Sequence, residues 1–218
     1  MSFISLNFVV LFACTFILYH TLPSRFRKAT LLTASCLFIG FYHLAFLITA
    51  LILTLTTFYL GKWIGQAKRE SGMKGIYFSG VCFLVVSWLA FRYADRLTNC
   101  HILFPLGISF YTFQAISYLT EIYWQEEEPE KSLPDFMIYM LFFMKFLSGP
   151  IERASDMLPQ LKSCKATDYT SMVYGMRLIV VGLIKKLILA DSIAPYIDGV
   201  FGSVYTASVS YTHLTLPT

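Results

Sequence analysis

FPLGISFYTFQAISYLTEIYW (Phe104–Trp124) and, beyond an acidic connector, DFMIYMLFFMKFLSGPIERASDMLPQL (Asp135–Leu161) decide the fold. A helix that crosses a bilayer needs ~20 predominantly apolar residues, since each rises ~1.5 Å through a hydrocarbon core ~30 Å thick. Both stretches are apolar, yet the first holds Pro105, Gly107, Ser109, Tyr111, Gln114 and Ser117, and the second reaches Ser148-Gly149-Pro150. Pro150 has no amide proton and biases Gly149 away from helical angles, so the helix beginning near Asp135 is expected to end by Gly149. Backbone freed in this way survives at membrane depth only inside protein or beside a wet cavity. Ile151–Leu161, where charges appear, therefore reads as a re-entrant or interfacial segment that turns back into protein.

Outward from these blocks, the composition sets the class. Hydrophobic residues make up 56% of the chain and charged residues 14%, and the mean hydropathy is +0.62. A soluble domain carries about 25% charged residues and hides its apolar side chains in one core. Here lipid is the solvent. The net charge of +4 is scattered between apolar runs, which suits basic loops at a membrane surface and not a nucleic-acid-binding face.

Phe3–Leu22 is uncharged, and Arg25, Arg27 and Lys28 come after it instead of before it. That order is the reverse of a cleaved secretory signal, so this is expected to be a retained first span. Ala29–Leu60 is also uncharged; as one helix it would measure ~48 Å, so it is read as two spans broken near Gly40, Tyr42 and His43. Lys68, Arg69, Glu70 and Lys74, with Gly72 and Gly75, form the expected next connector, before a span over about Ile76–Phe91. Leu97–Tyr123 contains the first block, Pro129 is expected to end its helix in a solvated acidic loop, and Ser171–Ala190 is a last span interrupted by Arg177 and Lys185-Lys186. The expectation is an all-α polytopic bundle of about six to seven spans, some short or re-entrant. With the basic connectors Pro23–Lys28 and Lys62–Lys74 inside, the N-terminus lies outside.

Chemistry-bearing motifs are few. The cysteines Cys14, Cys36, Cys82, Cys100 and Cys164 show no metal spacing, and no metal site is expected. Gly107-Ile-Ser109-Phe-Tyr111 lacks the second glycine of a nucleophile elbow. His20 and His101 fall at span ends, His43 at a turn and His213 in the tail; none is expected to be catalytic. Ser109 suits a hydrogen bond within or between helices. Gln114 needs a partner in hydrocarbon, either an interhelical acceptor or a polar path. Lys145 is expected to snorkel. Glu152 and Arg153 are intramembrane charges able to pair with neighbours and fix the turn.

The two blocks, in this order and spacing, resemble the membrane-bound O-acyltransferase (MBOAT) superfamily on its bacterial polysaccharide O-acetylation branch. The likeness extends more weakly over Met1–Val204, including LIKKLILADSIAPYIDGVF (Leu183–Phe201). It implies part of an MBOAT fold and, for the full-length protein, acetyl transfer toward an exported polysaccharide of the alginate kind. The donor would be a cytoplasmic acetyl thioester, acetyl-CoA or carrier-linked, with no bound cofactor. The implied setting is the bacterial inner membrane, with membrane lipid, a periplasmic or extracellular acetyltransferase partner protein and, indirectly, the polysaccharide as partners. Ser109, Tyr111, Gln114, Gly149, Pro150, Glu152 and Arg153 become tunnel or motif candidates. The family histidine is expected beyond residue 218, leaving this chain without a catalytic residue of its own. Residues 1–207 form the expected N-terminal part of the membrane domain, and 208–218 (SVSYTHLTLPT) a tail without family pattern, similar to adapter read-through. Alternatives are D-alanyl transfer to teichoic acid within the family, and a secondary transporter or a non-enzymatic membrane subunit outside it.

Overall fold

Breaks in the apolar runs organise the computed structural model, which describes residues 6–67, 69–98, 105, 107–146, 149–163 and 168–202. The described residues of Met1–Cys164 form one unit of seven helices: α1 (Leu6–Thr21), α2 (Ser24–Tyr42), α3 (Leu44–Gln66), α4 (Glu70–Thr98), α5 (Ile108–Tyr123), α6 (Leu133–Leu141) and α7 (Ala154–Ser163). The first long run breaks at His43, whose extended backbone (φ −167°, ψ 136°) separates α2 from α3 and whose Nδ1 accepts the Ala45 amide at 3.4 Å. The expected break there is observed.

α3 packs on α2, α4, α5 and α6. Its small residues make this possible. A Cβ on Gly61 would lie 2.8 Å from the Tyr118 ring, and one on Gly65 would meet Pro129 at 2.5 Å. Thr54 and Thr57, both buried, return their hydroxyls to the carbonyls of Ala50 and Leu53 at 2.7 Å, so neither leaves a polar group bare in the apolar interior. Around α3 the core is aromatic. Phe58 meets Phe136 at 5.5 Å between centroids, Tyr118 meets Phe136 at 4.7 Å, and Phe38 meets Phe143 at 6.2 Å.

Among the described residues, only α3 and residues Glu70–Tyr93 of α4 are long and apolar enough to cross a bilayer by themselves. The six to seven spans read from the apolar runs are not reproduced as separate long helices. The described part of the first run is 16 residues, and α6 is nine.

Several boundaries depart from expectation. Arg25, Arg27 and Lys28 lie inside α2, and the turn is Leu22-Pro23 alone. α4 begins at Glu70, so Gly72, Lys74 and Gly75 are helical; Lys68 lies outside the described residues. No Cβ at either glycine would meet another atom, so a helix costs them nothing sterically there. Pro129 does not end α5. Gln125, at φ 59°, does: its amide reaches Ile122 O at 3.0 Å and the Glu126 amide reaches Glu121 O at 3.0 Å, a Schellman closure with a left-handed residue just past the helix.

In the second unit, α8 (Tyr169–Ile184), a π-helical stretch (Lys185–Ala190) and α9 (Asp191–Gly202) succeed one another without a gap, so the helix expected to end at Ala190 runs on to Gly202. The Asp191 amide bonds Lys186 O, the wider i→i−5 step, and Lys186 pairs with Asp191. Residues 203–218, including His213 and the 208–218 tail, lie outside the described residues.

Candidate functional site

α6 stops at Leu141, seven residues before Ser148, although FMIYMLFFMKF contains no helix breaker. In a continuing helix the Phe143 amide would donate to the Tyr139 carbonyl. Instead Gln114 Nε2 of α5 donates to Tyr139 O at 2.9 Å, and the Phe143 amide donates to Ser35 Oγ of α2 at 3.2 Å. Ser35 passes its own proton to Leu31 O at 2.8 Å. Two side chains from neighbouring helices thus take over both halves of one missing backbone bond. All four residues are buried, Gln114 at 5% exposure. The helix ends before Gly149, as expected, but already at Leu141, where tertiary partners and not proline chemistry end it. Ser148 itself lies outside the described residues.

Beyond the break the chain turns. The amides of Lys145 and Phe146 both reach Phe142 O at 3.1 Å, and the Gly149 amide reaches Lys145 O at 2.9 Å. A Cβ on Gly149 would overlap Lys145 Cα and Cβ at 2.5 Å, so close approach requires glycine there. Gly107, at φ 73°, precedes α5, and a Cβ on it would collide with the Phe146 carbonyl. The Tyr111 ring stacks on Phe146, 5.4 Å between centroids. The two sequence blocks therefore meet face to face. Pro150 is exposed at the turn.

Lys145 does not snorkel. It is 7% exposed; its Nζ sits 3.1 Å from Glu152 Oε2, 3.1 Å from Met157 Sδ and 4.5 Å from the Tyr139 ring centroid. The Tyr139 hydroxyl donates to Glu152 O at 3.0 Å, fixing that side of the turn. A buried ammonium stays charged only when a carboxylate and further contacts replace its water. Arg153 is exposed and places its charge near Glu121, whose buried carboxylate faces the Ala154 and Ser155 amides at the start of α7. Ser117 Oγ donates to the same carboxylate at 3.3 Å. Ser109 accepts from Trp88 Nε1 at 3.0 Å, tying α5 to α4. Tyr111 is 3% exposed, and its hydroxyl has no hydrogen-bond partner among the described residues.

α6, the turn and α7 form a hairpin, and its outer end is pinned by charge. Lys28 meets Asp135 at 2.7 Å and Lys162 meets Glu130 at 2.6 Å. Glu130 also accepts the Lys131 and Ser132 amides, each at 2.9 Å. Its burial corrects the expectation of a wholly solvated acidic loop. The hydrogen bond to Glu130 holds the Lys162 ammonium above the usual lysine range. Beside the hairpin opens a cleft of ≈ 440 Å³, with Arg27 and Lys28 on the α2 side, Glu152, Asp156 and Gln160 on the other, and Leu31 and Phe142 beneath.

Of the sequence candidates, Tyr111, Gln114, Gly149, Glu152 and Arg153 are all within or beside the hairpin, Ser109 joins α5 to α4, and Pro150 faces outward. Sequence reasoning misses Ser35, Glu121, Tyr139 and the two outer ion pairs. A lone hydroxyl in an apolar run is indistinguishable in sequence from one bonded to its own helix. The described histidines stand apart from the hairpin: His43 caps α3, and His20 lies edge-on to Phe16; His101 lies outside the described residues. Among the described residues no cluster of His, Cys, Asp or Glu could hold a metal ion.

No family model and no solved structure matches the chain. Curated proteins do. The chain is 30% identical to the probable alginate O-acetylase AlgI of Azotobacter vinelandii, across 97% of this chain and 47% of that protein. It is 29% identical to the protein of the same name from Pseudomonas aeruginosa, across 97% and 45%. It is 26% identical to a peptidoglycan O-acetyltransferase of Helicobacter pylori, across 85% and 42%. The chain thus spans about half the length of the curated relatives it matches. Its apolar helices give it membrane-protein character, and over most of its length it is similar to proteins named as O-acetylases and as an O-acetyltransferase, a likeness that supports an MBOAT-like acetyltransferase family.

Proposed function

We propose that this chain is the scaffold-forming half of a membrane O-acetyltransferase. In this reading the chain contributes six to seven spans, some short or re-entrant, to a protein of the bacterial inner membrane. The whole protein carries an acetyl group from a cytoplasmic thioester, acetyl-CoA or carrier-linked, toward an exported polysaccharide. A periplasmic or extracellular acetyltransferase partner completes delivery. The observation that supports it is the similarity to alginate O-acetylases along almost the entire chain, joined to a buried break in α6 where the two blocks that carry the family resemblance meet.

Acyl transfer from a thioester to a hydroxyl needs a base for the hydroxyl proton and donors for the tetrahedral oxyanion. At the hairpin, Lys145 is committed to Glu152, and the Gln114 amide to the Tyr139 carbonyl. Their role is to hold non-helical backbone as one wall of the acetyl path, with the Tyr111 hydroxyl and the Glu152 side of the turn facing it. The base is the family histidine expected beyond residue 218. Peptidoglycan as acceptor is a second reading, favoured by the Helicobacter relative alone.

A strain whose exported polysaccharide has lost its acetyl esters tests this. Supplying the whole reading frame that contains this chain is expected to restore ester content, while residues 1–218 alone restore none. Failure of the whole frame in alginate- and peptidoglycan-acetylating hosts alike would refute the reading, and turnover by the 218 residues alone would refute the division of roles.

A further inference from the structure

We propose that the continuous helix Tyr169–Gly202 of the second unit is a docking surface for a membrane helix from outside this chain, one that carries a single carboxylate for Lys185. The seat is a groove of ≈ 410 Å³ lined by Lys185, Leu189, Ala190, Ile193, Ala194 and Ile197.

The spacing suits a helix. Lys185, Leu189, Ile193 and Ile197 recur at every fourth residue, and Ala190 and Ala194 form the row beside them. Rows four apart are the ridges that interdigitate when helices pack. A row of small residues next to such a ridge lets a second backbone come close. All six lining residues are exposed, and neither α8 nor the π-helical stretch buries a residue.

Charge selects what the incoming helix carries. Tyr169–Gly202 is ~50 Å long by its rise, against ~30 Å of hydrocarbon. Whichever ~20 residues of it lie in hydrocarbon, Lys185 and Lys186 are among them. Lys186 is matched within the helix by Asp191. Lys185 belongs to none of the ion pairs among the described residues. Asp135, Glu130 and Glu152 are already engaged by Lys28, Lys162 and Lys145. Charges at membrane depth pair with one another or face a wet cavity, so the partner brings the carboxylate.

The same reasoning disfavours other occupants. A second copy in the same orientation holds its own Lys185 at the same depth, cation against cation. Acyl chains carry no charge, and a lipid phosphate lies in the headgroup layer. Pro195, inside α9, has no amide proton for the Asp191 carbonyl. In hydrocarbon a neighbouring helix can supply the missing donor, and an acyl chain cannot.

The test places the 218-residue chain in phosphatidylcholine bilayers with leucine–alanine peptides of about 20 residues, each carrying one central glutamate, lysine or leucine. Association is read by fluorescence energy transfer. The glutamate peptide is expected to bind about tenfold tighter than the leucine peptide, equivalent to ~1.4 kcal/mol, the size of an interhelical polar contact. Lys185→Met should abolish the difference. Lys185→Glu should transfer the preference to the lysine peptide, an exchange that no folding defect produces. Ala194→Leu, which fills the seat, should weaken every peptide alike. Equal binding of the glutamate and leucine peptides, or a preference unchanged in Lys185→Met, overturns the site. Loss of the preference on adding phosphatidylglycerol assigns Lys185 to a lipid phosphate, and self-association that the glutamate peptide leaves intact assigns the groove to a second copy; either result overturns the helix as occupant. No arm of the test depends on acetyl transfer.

Discussion

Replacing Gln114 by leucine strips the Tyr139 carbonyl of its side-chain donor while preserving apolar volume. Gln114, Tyr139, Phe143 and Ser35 are all buried, so water cannot substitute. A buried acceptor left unmade costs about 1–3 kcal/mol, and Ser35→Ala should cost about as much by orphaning the Phe143 amide. The double variant is the informative one. With both side chains gone, the two orphans are the natural partners of a helical i→i−4 bond, and α6 can extend through Phe143 to recover one. The double loss is therefore expected to fall short of the sum by about 1 kcal/mol, against the ~0.3–0.5 kcal/mol within which independent sites add. Reversible unfolding of the detergent-solubilised chain gives the three free energies, and amide exchange at Phe143 reports whether the helix has lengthened. Strict additivity, or single losses below ~0.5 kcal/mol, would mean that the break is set by something other than these two side chains.

The same geometry carries four more expected outcomes. Gly149→Val forces a Cβ into the Lys145 backbone and should cost ~1–3 kcal/mol as an overpacked site, lowering acetylation by the whole enzyme more than its abundance; wild-type acetylation would reduce the motif to a loop boundary. Tyr111→Phe removes a buried hydroxyl without a partner among the described residues, so thermal stability should hold or rise while acetyl transfer falls; no change in either would deny the hydroxyl a role. The Lys162–Glu130 hydrogen bond raises the lysine pKa, so the stability it contributes is fully present below the ordinary lysine value of ~10.4 and disappears as pH rises through the higher folded value. The gap between wild type and Lys162→Met should accordingly stay level from pH 7 to about 10 and close above it, and a gap that titrates near neutrality would contradict the assignment. Single cysteines at Ser24, Ser71 and Ser132 should all resist an impermeant reagent applied outside intact cells; ready labelling at any of them would reverse the orientation.

How far the sequence discloses the fold depends on where each break has its cause. The separation of α2 from α3 is local: an uncharged run too long for one span, with His43 able to cap the second helix. That break is legible. The end of α6 is not local. FMIYMLFFMKF favours helix at every step, and the break comes from Gln114 and Ser35, far away in the chain. Gln114 stands out as needing a partner, but nothing in the residues around it says that the partner is a backbone carbonyl. Lys145 misleads for the same reason. Its stem permits snorkelling, and only the return of Glu152 beneath it makes burial the better solution. Gly107 and Gly149 are visible as punctuation, yet the close approach that each permits is a property of the folded pair. Pro129 attracts the role of helix terminator on general chemistry, whereas Gln125, an ordinary residue beside a string of acids, adopts the left-handed angle that ends α5.

The outer contacts determine what kind of element the hairpin is. α2 starts, and α3 ends, on the side of the bundle that carries Arg25, Lys28 and Lys62, because the chain reverses once between them at His43. Pro129 rests on Gly65 at the end of α3, Asp135 at the start of α6 binds Lys28, and Lys162 at the end of α7 binds Glu130. The hairpin therefore begins and finishes at one face. α6 has nine residues, a rise of ~13 Å, under half the ~30 Å of hydrocarbon, so it is too short to cross by itself. Irregular backbone at such depth is tolerated only where protein satisfies it. Here Gln114 serves the Tyr139 carbonyl, Ser35 the Phe143 amide, Tyr139 the Glu152 carbonyl and Glu152 the Lys145 ammonium. All of these partners lie in the same unit as the hairpin, so its conformation does not wait on residues elsewhere. The buried hydroxyl of Tyr111 is different: it sits against Phe146 where the two blocks meet, and no described residue completes it. Under the proposed function, this buried hydroxyl beside a prebuilt turn is where the acetyl path would have a polar contact still to make.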